Sequence, residues 1–293
     1  MARGDHWFKN VTLVPGIVLA WIMFKPHDML STAGAVALAF LSTFLVASSN
    51  YTLNELVDAG QDKNHPAYAH RPVPSGKINA WIASAQWLLL AAAGLFIASL
   101  ENKIFFQTEL LFFVLGIIYN VKPLRTKDIA YGDILSESLN SPVRFVLGWL
   151  AIQSQFLPPI SLIAAFWMLG AFFMSVKRLA ELQYINNAQI AAAYRRSFAH
   201  YTRRRLLGCA LVCAALFIGL LGTFIIHDQA ALLLALPLII GFLVAYLREG
   251  LKPNSMMRRP ETLYKHAFLI GYLLLTTGVV MACLLIPCPW IKL

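Results

Sequence analysis

The sequence predicts an all-α, polytopic membrane protein with nine transmembrane helices in a single domain over residues 1–293. Apolar residues make up 59% of the chain and charged residues only 13%, and the mean hydropathy is +0.65. These values lie far from those of soluble domains. The apolar residues also collect into runs close to the length that crosses a bilayer core of about 30 Å. We therefore expect lipid to surround most of the chain.

The apolar runs follow one another along the chain, with polar segments between them. The first run contains Pro15-Gly16 and is shorter than a full crossing, and the fifth carries polar side chains. No small-residue cleavage site of the usual kind accompanies the first run, so we expect a retained helix rather than a signal peptide. The nine predicted helices cover residues 11–24, 33–53, 78–100, 104–121, 134–152, 159–176, 206–226, 230–247 and 267–286.

The basic residues predict an orientation, because cytoplasmic loops of membrane proteins carry an excess of Lys and Arg. With the N-terminus in the cytoplasm, all of the 24 basic residues lie on the cytoplasmic side except Lys25, Lys103, Lys292 and Arg144. Most acidic and amide side chains of the loops lie on the same side. We therefore expect a cytoplasmic functional face, a cytoplasmic N-terminus and an external C-terminus.

The formal net charge of +10 could indicate a nucleic-acid-binding protein. The basic residues, however, lie in short loops between apolar runs, which favours membrane lipid headgroups and phosphate-bearing substrates as partners over nucleic acid. The four cysteines fall in or beside apolar runs without histidines at metal-type spacing, so we interpret them as small apolar residues.

An oxygen-bearing stripe follows the second apolar run. Asn54, Asp58 and Asp62 recur every four residues, so they share one face of a helix, and Glu55 lies one step around from Asn54. Magnesium prefers such oxygen ligands and usually binds between one or two carboxylates and a substrate phosphate. The alternative is the solvated face of an amphipathic helix end.

A second polar cluster begins at Tyr119-Asn120 and includes Arg125 and Lys127. It continues into the fifth run with Asp133, Glu137, Asn140 and Arg144, which fall within a narrow sector of one continuous helix. Ionisable groups at membrane depth are costly unless they are paired or face water, so they indicate a site. The alternative is a structural ion pair between Arg144 and Glu137.

A third cluster, Lys177, Arg178 and Glu181, leaves the sixth run. Basic residues at the end of a membrane helix commonly serve only as topology anchors. These three are spaced to bind an anionic group, and Lys9 near the N-terminus is a further cation beside interfacial aromatic residues.

Together these motifs resemble the UbiA superfamily of intramembrane prenyltransferases, and most closely its decaprenyl-phosphate phosphoribosyltransferase branch. The first motif of that branch is Asn-Asp-x-x-Asp-x-x-x-Asp-Arg-x-His-Pro, and this sequence has Asn54-Glu55-x-x-Asp58-x-x-x-Asp62-Lys63-x-His65-Pro66, followed by Arg71. The spacing from Tyr119 through Lys127 to Asp133 and Arg144, and the Lys177-Arg178-x-Ala180-Glu181 run, are also similar. The likeness covers most of residues 5–205.

The resemblance implies a UbiA-like bundle of nine helices with a cytoplasm-facing site, in the inner membrane of a bacterium. It implies Mg²⁺-dependent transfer of phosphoribose from phosphoribosyl pyrophosphate to a polyprenyl phosphate, with pyrophosphate leaving. It implies catalytic roles for Asp58, Asp62, Asp133 and Glu137, which would bind the metal together with Asn54 and Glu55. The substrate-binding residues that it implies are Lys9, Asn54, Lys63, Arg71, Tyr119, Lys127, Asn140, Arg144, Lys177, Arg178 and Glu181.

Two positions depart from the pattern. Glu55 stands where the branch has Asp, and Asp133-x-x-x-Glu137 stands where the wider superfamily often has two Asp, although both changes keep an oxygen ligand. Within the superfamily, the alternative is transfer of a prenyl group from its diphosphate to an aromatic or other acceptor.

Two alternatives lie outside the superfamily. A lipid transporter would show broken helices in two repeated halves, and the sequence has no clear internal repeat. An inactive membrane scaffold would not require aligned carboxylates. A transferase is therefore the leading interpretation.

Overall fold

A computed structural model describes residues 10–63, 69–258 and 260–285. These residues form helices and connecting loops, and no strand occurs among them. The chain separates into two compact units, Met1–Pro158 and Pro159–Leu293. The expectation of a single domain over residues 1–293 stays a prediction.

The described residues of the first unit form six α-helices. Side-chain oxygens of Asp28, Asn79 and Asn102 accept hydrogen bonds from backbone N–H groups at the starts of α2, α3 and α4. Such caps satisfy N–H groups that have no partner within the helix and so fix where each helix begins. Helix α2 packs against α3 and α4, and α1 packs against α6. The helices are α1 (Leu13–Phe24), α2 (Met29–Asp62), α3 (Ala80–Ser99), α4 (Lys103–Asn120), α5 (Gly132–Ser138) and α6 (Asn140–Leu150).

In the second unit, the residues that the structure describes form five α-helices. Its main packing contact joins α7 and α9. Asn186 ends α7 in the left-handed conformation, and the side chains of Asn187 and Thr202 cap the starts of α8 and α9. The helices are α7 (Ile160–Ile185), α8 (Ala188–Tyr194), α9 (Arg203–Asp228), α10 (Leu236–Gly250) and α11 (Ala267–Leu285).

In the described ranges, seven helical segments are long and apolar enough to cross a membrane: Met29–Gly60, Ala80–Ser99, Lys103–Asn120, Ile160–Ile185, Arg203–Asp228, Ala230–Gly250 and Ala267–Leu285. They correspond to seven of the nine predicted runs and confirm an all-helical membrane protein. The first predicted run forms α1, a helix of only 12 residues. The count of nine crossings stays a prediction.

The prediction of one continuous helix over residues 134–152 was wrong. The helix is interrupted at Leu139, between α5 and α6. Pro142 lies in the first turn of α6 and lacks the N–H that would bond to the carbonyl of Ser138, which favours a new helix start at this point.

The two short helices α1 and α6 cross at glycines. A Cβ atom on Gly16 would overlap the carbonyl oxygen of Phe145, and one on Gly148 would overlap that of Leu13. The two backbones therefore approach closely only because both positions lack a side chain. The crossing fixes α6, and with it Arg144, in the first unit.

Candidate functional site

The predicted stripe lies on the C-terminal part of α2, which continues as a regular helix to Asp62. The helix therefore carries Asn54, Asp58 and Asp62 on one face, as the four-residue spacing predicts. Glu55 and Asp62 are buried, whereas Asn54 and Asp58 are half-buried. Their partners come from the loops that follow α2 and α4.

Arg125 lies in the loop after α4, and its side chain donates hydrogen bonds to at least three groups in the described ranges. Its Nη2 donates to Asp58 Oδ1 at 2.9 Å, its Nε to Asp128 Oδ2 at 2.9 Å and its Nη1 to the carbonyl of Asn120 at 3.0 Å. The residue is buried and has a left-handed backbone, with φ 31° and ψ 58°. That backbone conformation is unfavourable for residues other than glycine, so the hydrogen bonds of Arg125 must offset its free-energy cost.

The Lys127 ammonium group is buried in a shell of oxygen atoms. Its Nζ donates to both carboxylate oxygens of Asp58 at 2.7 Å, to Asn120 Oδ1 at 2.9 Å and to Asn54 Oδ1 at 3.2 Å. Asp58 therefore carries two cationic partners, Lys127 and Arg125. Two cations, Lys127 and Arg125, and two carboxylates, Asp58 and Asp128, therefore meet here, and the cations offer hydrogen-bond donors to an anionic ligand that displaces a carboxylate.

Glu55 and Asp62 hold the loop after α2. Asp62 Oδ2 pairs with Arg71 Nη1 at 2.7 Å, and Glu55 Oε1 accepts from the backbone N–H of Val73 at 3.0 Å. Lys63 is exposed at the C-terminal end of α2. A third cation, Arg71, thus lies on the acidic face of the helix.

The second cluster lies on two consecutive helices. Asp133 and Glu137 lie on α5, and Asn140 and Arg144 lie on α6, on either side of the interruption at Leu139. Leu139 keeps a helical backbone, with φ −58° and ψ −22°, and the common sector of these four residues stays a prediction. Asp133 is fully buried and Glu137 is half-buried.

Arg144 is buried among polar groups and one ring. Its Nε donates to Asn10 Oδ1 at 2.9 Å, its Nη1 to the carbonyl of Asn140 at 3.3 Å, and its guanidinium carbon lies 4.6 Å from the centre of the Phe112 ring. Glu109 of α4 is also fully buried, and it accepts a hydrogen bond from Thr43 at 3.1 Å. The hydrogen bond between Arg144 and Asn10 joins α6 to the segment that precedes α1.

The acidic residues fit a magnesium ion by the type of their donors. The carboxylates of Asp58 and Asp62 and the amide oxygen of Asn54 are hard oxygen ligands. Among the described residues, no group of three or more His, Cys, Asp or Glu side chains lies close enough together to hold a metal. Both carboxylates are instead paired with cations, which are themselves suitable partners for phosphate oxygens.

The third cluster lies on α7, in the second unit. Arg178 is buried and its Nη1 pairs with Glu181 Oε2 at 2.7 Å, while Lys177 Nζ lies 4.0 Å from Glu181 Oε1. The guanidinium of Arg178 also lies over the Phe198 ring, 6.0 Å from its centre.

Several residues of the predicted site remain outside these clusters, and others were missed. Tyr119 is half-buried at the end of α4. Lys9, and the His65-Pro66 part of the first motif, lie outside the described residues. Asn120 and Arg125 belong to the polar cluster seen in the sequence, and Asn10 follows Lys9, but the sequence did not assign a binding role to any of the three.

Comparison with known proteins gives a family match over most of the chain. The model of the UbiA prenyltransferase family matches residues 12–261. A curated relative, decaprenyl-phosphate phosphoribosyltransferase of Mycolicibacterium smegmatis, is 29% identical over 204 residues, which cover 68% of this chain and 61% of the relative. Nodulation protein NoeC of Azorhizobium caulinodans is 28% identical, over 67% of this chain and 61% of its own length. The chain thus spans about three fifths of the length of these relatives.

Solved structures with the same fold cover nearly the whole chain. A UbiA homologue from Archaeoglobus fulgidus, bound to GPP and Mg²⁺, superposes with a TM-score of 0.70 at 21% identity, over 96% of this chain and 98% of the homologue. The likeness to this structure extends over both units.

Proposed function

The chain belongs to the UbiA prenyltransferase family, and on that basis we propose that it transfers phosphoribose from phosphoribosyl pyrophosphate to a polyprenyl phosphate. The observation that carries this proposal is the density of cations on the acidic face of α2. Lys127 and Arg125 both contact Asp58, and Arg71 contacts Asp62. The M. smegmatis relative, which is named as a decaprenyl-phosphate phosphoribosyltransferase, supports the same reaction.

The substrates of this reaction demand many cations. Phosphoribosyl pyrophosphate carries a 5-phosphate in addition to its diphosphate, and the acceptor carries its own phosphate. A prenyl diphosphate with an uncharged acceptor presents fewer anionic groups. Guanidinium groups bind phosphate through a planar fork, whereas lysines act as point charges. Arg71, Arg125 and Lys127 of the first unit therefore suit the phosphoribosyl reaction better, and Lys177 and Arg178 of the second unit are further cations that the proposal assigns to donor binding.

The chemical step breaks the bond between C1 of the ribose and the diphosphate oxygen, and the leaving pyrophosphate takes the electron pair. A phosphate oxygen of the polyprenyl phosphate then forms the new bond to C1. In this step Lys127 and Arg125 bind the diphosphate and stabilise its increasing negative charge. Asp58 holds both cations in position before the donor binds, so little reorganisation is needed when the charge develops.

The residues that would hold magnesium are Asn54, Asp58 and Asp62, together with Glu55, Asp133 and Glu137. When bound, the ion would neutralise the diphosphate and orient it. Lys127 and Arg125 pair with Asp58 in the described structure, and the donor phosphates offer them alternative partners. Exchange of these partners would release the carboxylate as a ligand.

The orientation is part of the proposal. We infer nine crossings with the N-terminus in the cytoplasm, the C-terminus outside and the site on the cytoplasmic side of a bacterial plasma membrane. The basic residues of the loops support this orientation. The seven helical segments that can span a membrane support a polytopic arrangement.

A second candidate is transfer of a prenyl group from its diphosphate to an aromatic or other acceptor. The observation that favours it is the fold neighbour from A. fulgidus, which was solved with GPP and Mg²⁺ and also with DMAPP and Mg²⁺. Diphosphate departure is common to both reactions, so the acidic face of α2 would serve either.

One experiment separates the two candidates. Purified protein with Mg²⁺ receives either phosphoribosyl pyrophosphate and decaprenyl phosphate, or geranyl diphosphate and 4-hydroxybenzoate, and pyrophosphate release is measured. We expect release only from the first pair. Lys177→Ala and Arg178→Ala should each raise the KM for phosphoribosyl pyrophosphate strongly, whereas Arg204→Ala, an exposed cation at the start of α9, should not. Release from the second pair alone would establish prenyl transfer instead.

A further inference from the structure

Helices α10 and α11 of the second unit line a cavity of about 980 Å³ that none of the site residues above helps to form. Gly241, Val244, Ala245 and Arg248 line it from α10 at the helical spacing of three and four residues. Phe268, Gly271, Tyr272 and Leu275 line it from α11 at the same spacing. Two stripes therefore form the walls, and they are apolar apart from one end and the hydroxyl of Tyr272, which packs against Gly241 of α10.

The apolar walls are open to the surroundings. Phe268 is 66% exposed, Leu275 56% and Val244 44%. All three lie on helices that are long and apolar enough to cross a membrane. In a bilayer such exposed apolar side chains contact lipid tails.

The opposite end of the cavity is polar. Arg248, Glu249, Lys252 and His266 line it where α10 ends and α11 begins. Glu249 Oε2 accepts from Lys252 Nζ at 2.5 Å and lies 3.3 Å from His266 Nε2. His266 Nδ1 accepts from the backbone N–H of Leu269 at 3.3 Å, so the ring proton is at Nε2 and faces Glu249.

The charges at this end do not balance. Among the described residues, Glu249 is the only acidic one that lines the cavity, and it is already shared between Lys252 and His266. Arg248 forms no ion pair or side-chain hydrogen bond with any residue in the described ranges. A guanidinium group at the mouth of an apolar groove is thus left to bind an anion.

We propose that this cavity binds an anionic phospholipid of the membrane, with an acyl chain between α10 and α11 and the phosphate held by Arg248 and Lys252. The cations lie at the same end of both helices, which is where a bilayer has its headgroups. From His266 to Leu275 the helical rise is about 14 Å, close to half of a hydrocarbon core of about 30 Å. The groove therefore matches the acyl chain of one leaflet. This binding is separate from the proposed transferase reaction.

The test compares lipid binding by the full chain and by variants. Detergent-purified protein is titrated with phosphatidylglycerol or phosphatidylcholine, and bound lipid is counted by native mass spectrometry. We expect wild-type protein to bind phosphatidylglycerol more tightly. Arg248→Gln with Lys252→Gln should weaken that binding about 30-fold, since each cation near a headgroup contributes about a fivefold factor. Lys265→Gln, which alters an exposed neighbouring cation outside the cavity, should change it less than twofold.

A second variant tests the groove without altering charge. A Cβ on Gly271 meets no atom within 4 Å, and the same is true of Gly278 on the same helix outside the cavity. Gly271→Leu should therefore fold, fill the groove and reduce phosphatidylglycerol binding, while Gly278→Leu should not. Equal binding of both lipids by wild-type protein, or unchanged phosphatidylglycerol binding in the Arg248 and Lys252 double variant, would overturn the proposal. So would full competition by glycerol phosphate, because it would indicate a phosphate site without a lipid chain.

Discussion

Substitution of Lys127 by Met should destabilise the first unit, because it removes at least four polar contacts of a buried ammonium group. Breaking a buried ion pair from one side costs about 3–5 kcal/mol. Asp58 retains Arg125 and its side chain is 17% exposed, so the loss is lower, at about 2–3 kcal/mol. Such a loss lowers the melting temperature by about 5–10 °C.

The assay is thermal unfolding in detergent, with Lys77→Met as the matched control because Lys77 is exposed in a loop of the same unit. Adding Asp58→Asn to Lys127→Met should be less damaging than the sum of the two single changes, since the carboxylate then lacks a charge that needs a partner. We expect a coupling of at least about 1 kcal/mol. Two results would show that the Asp58–Lys127 pair does not stabilise the fold. One is an equal melting temperature for Lys127→Met and Lys77→Met, and the other is additive effects of Lys127→Met and Asp58→Asn in the double variant.

Three further predictions concern the acid, the glycine crossing and the topology. Asp62→Asn should lower the rate of pyrophosphate release at least about 100-fold, because the proposed donor site loses a metal ligand and the partner of Arg71. The control is Asp228→Asn, at an exposed position at the end of α9. Equal rates in the two variants would contradict the proposed role of Asp62. Gly16→Ala should lower the free energy of unfolding by about 1–3 kcal/mol, because the added Cβ forces α1 and α6 apart. The control is Gly34→Ala, where an added Cβ meets no atom within 4 Å, and it should unfold like wild type. Equal melting temperatures for the two variants would refute the close crossing. A reporter fused after Leu293 should be active only outside the cytoplasm, and a cytoplasmic signal would mean an even number of crossings.

Much of the fold could be predicted because membrane helices carry a strong sequence signal. A run of apolar residues has no stable alternative in lipid to a hydrogen-bonded helix, so seven of the predicted runs became helices of membrane-spanning length. The interruption at Leu139 was missed because apolar and polar side chains continue through it at helical spacing. Its sequence signal is a single residue, Pro142, and proline in a first turn is compatible with either a helix start or a kink.

The site was predictable where it depends on one helix and not where it depends on loops. The four-residue spacing of Asn54, Asp58 and Asp62 determines their common face on α2. The partners of these side chains come from distant positions: Lys127 and Arg125 reach Asp58 from a loop that follows two more helices. Arg125 does so with a left-handed backbone that its residue type does not favour. Its place in the polar cluster could be seen in the sequence, but its contact with Asp58 could not.

The crossing of α1 and α6 has a consequence for how the chain is made. Gly148 leaves the ribosome about 130 residues after Gly16, which takes roughly 7–26 s at a rate of about 5–20 residues per second. During that interval α1, with 12 residues in the described structure, lacks the contact with α6 that Gly16 makes in the folded chain. The crossing of the two helices therefore forms only after α6 has been synthesised. The order of assembly then differs from the order of synthesis, and ribosome-bound chains that stop after α4 should leave α1 accessible to water-soluble labels.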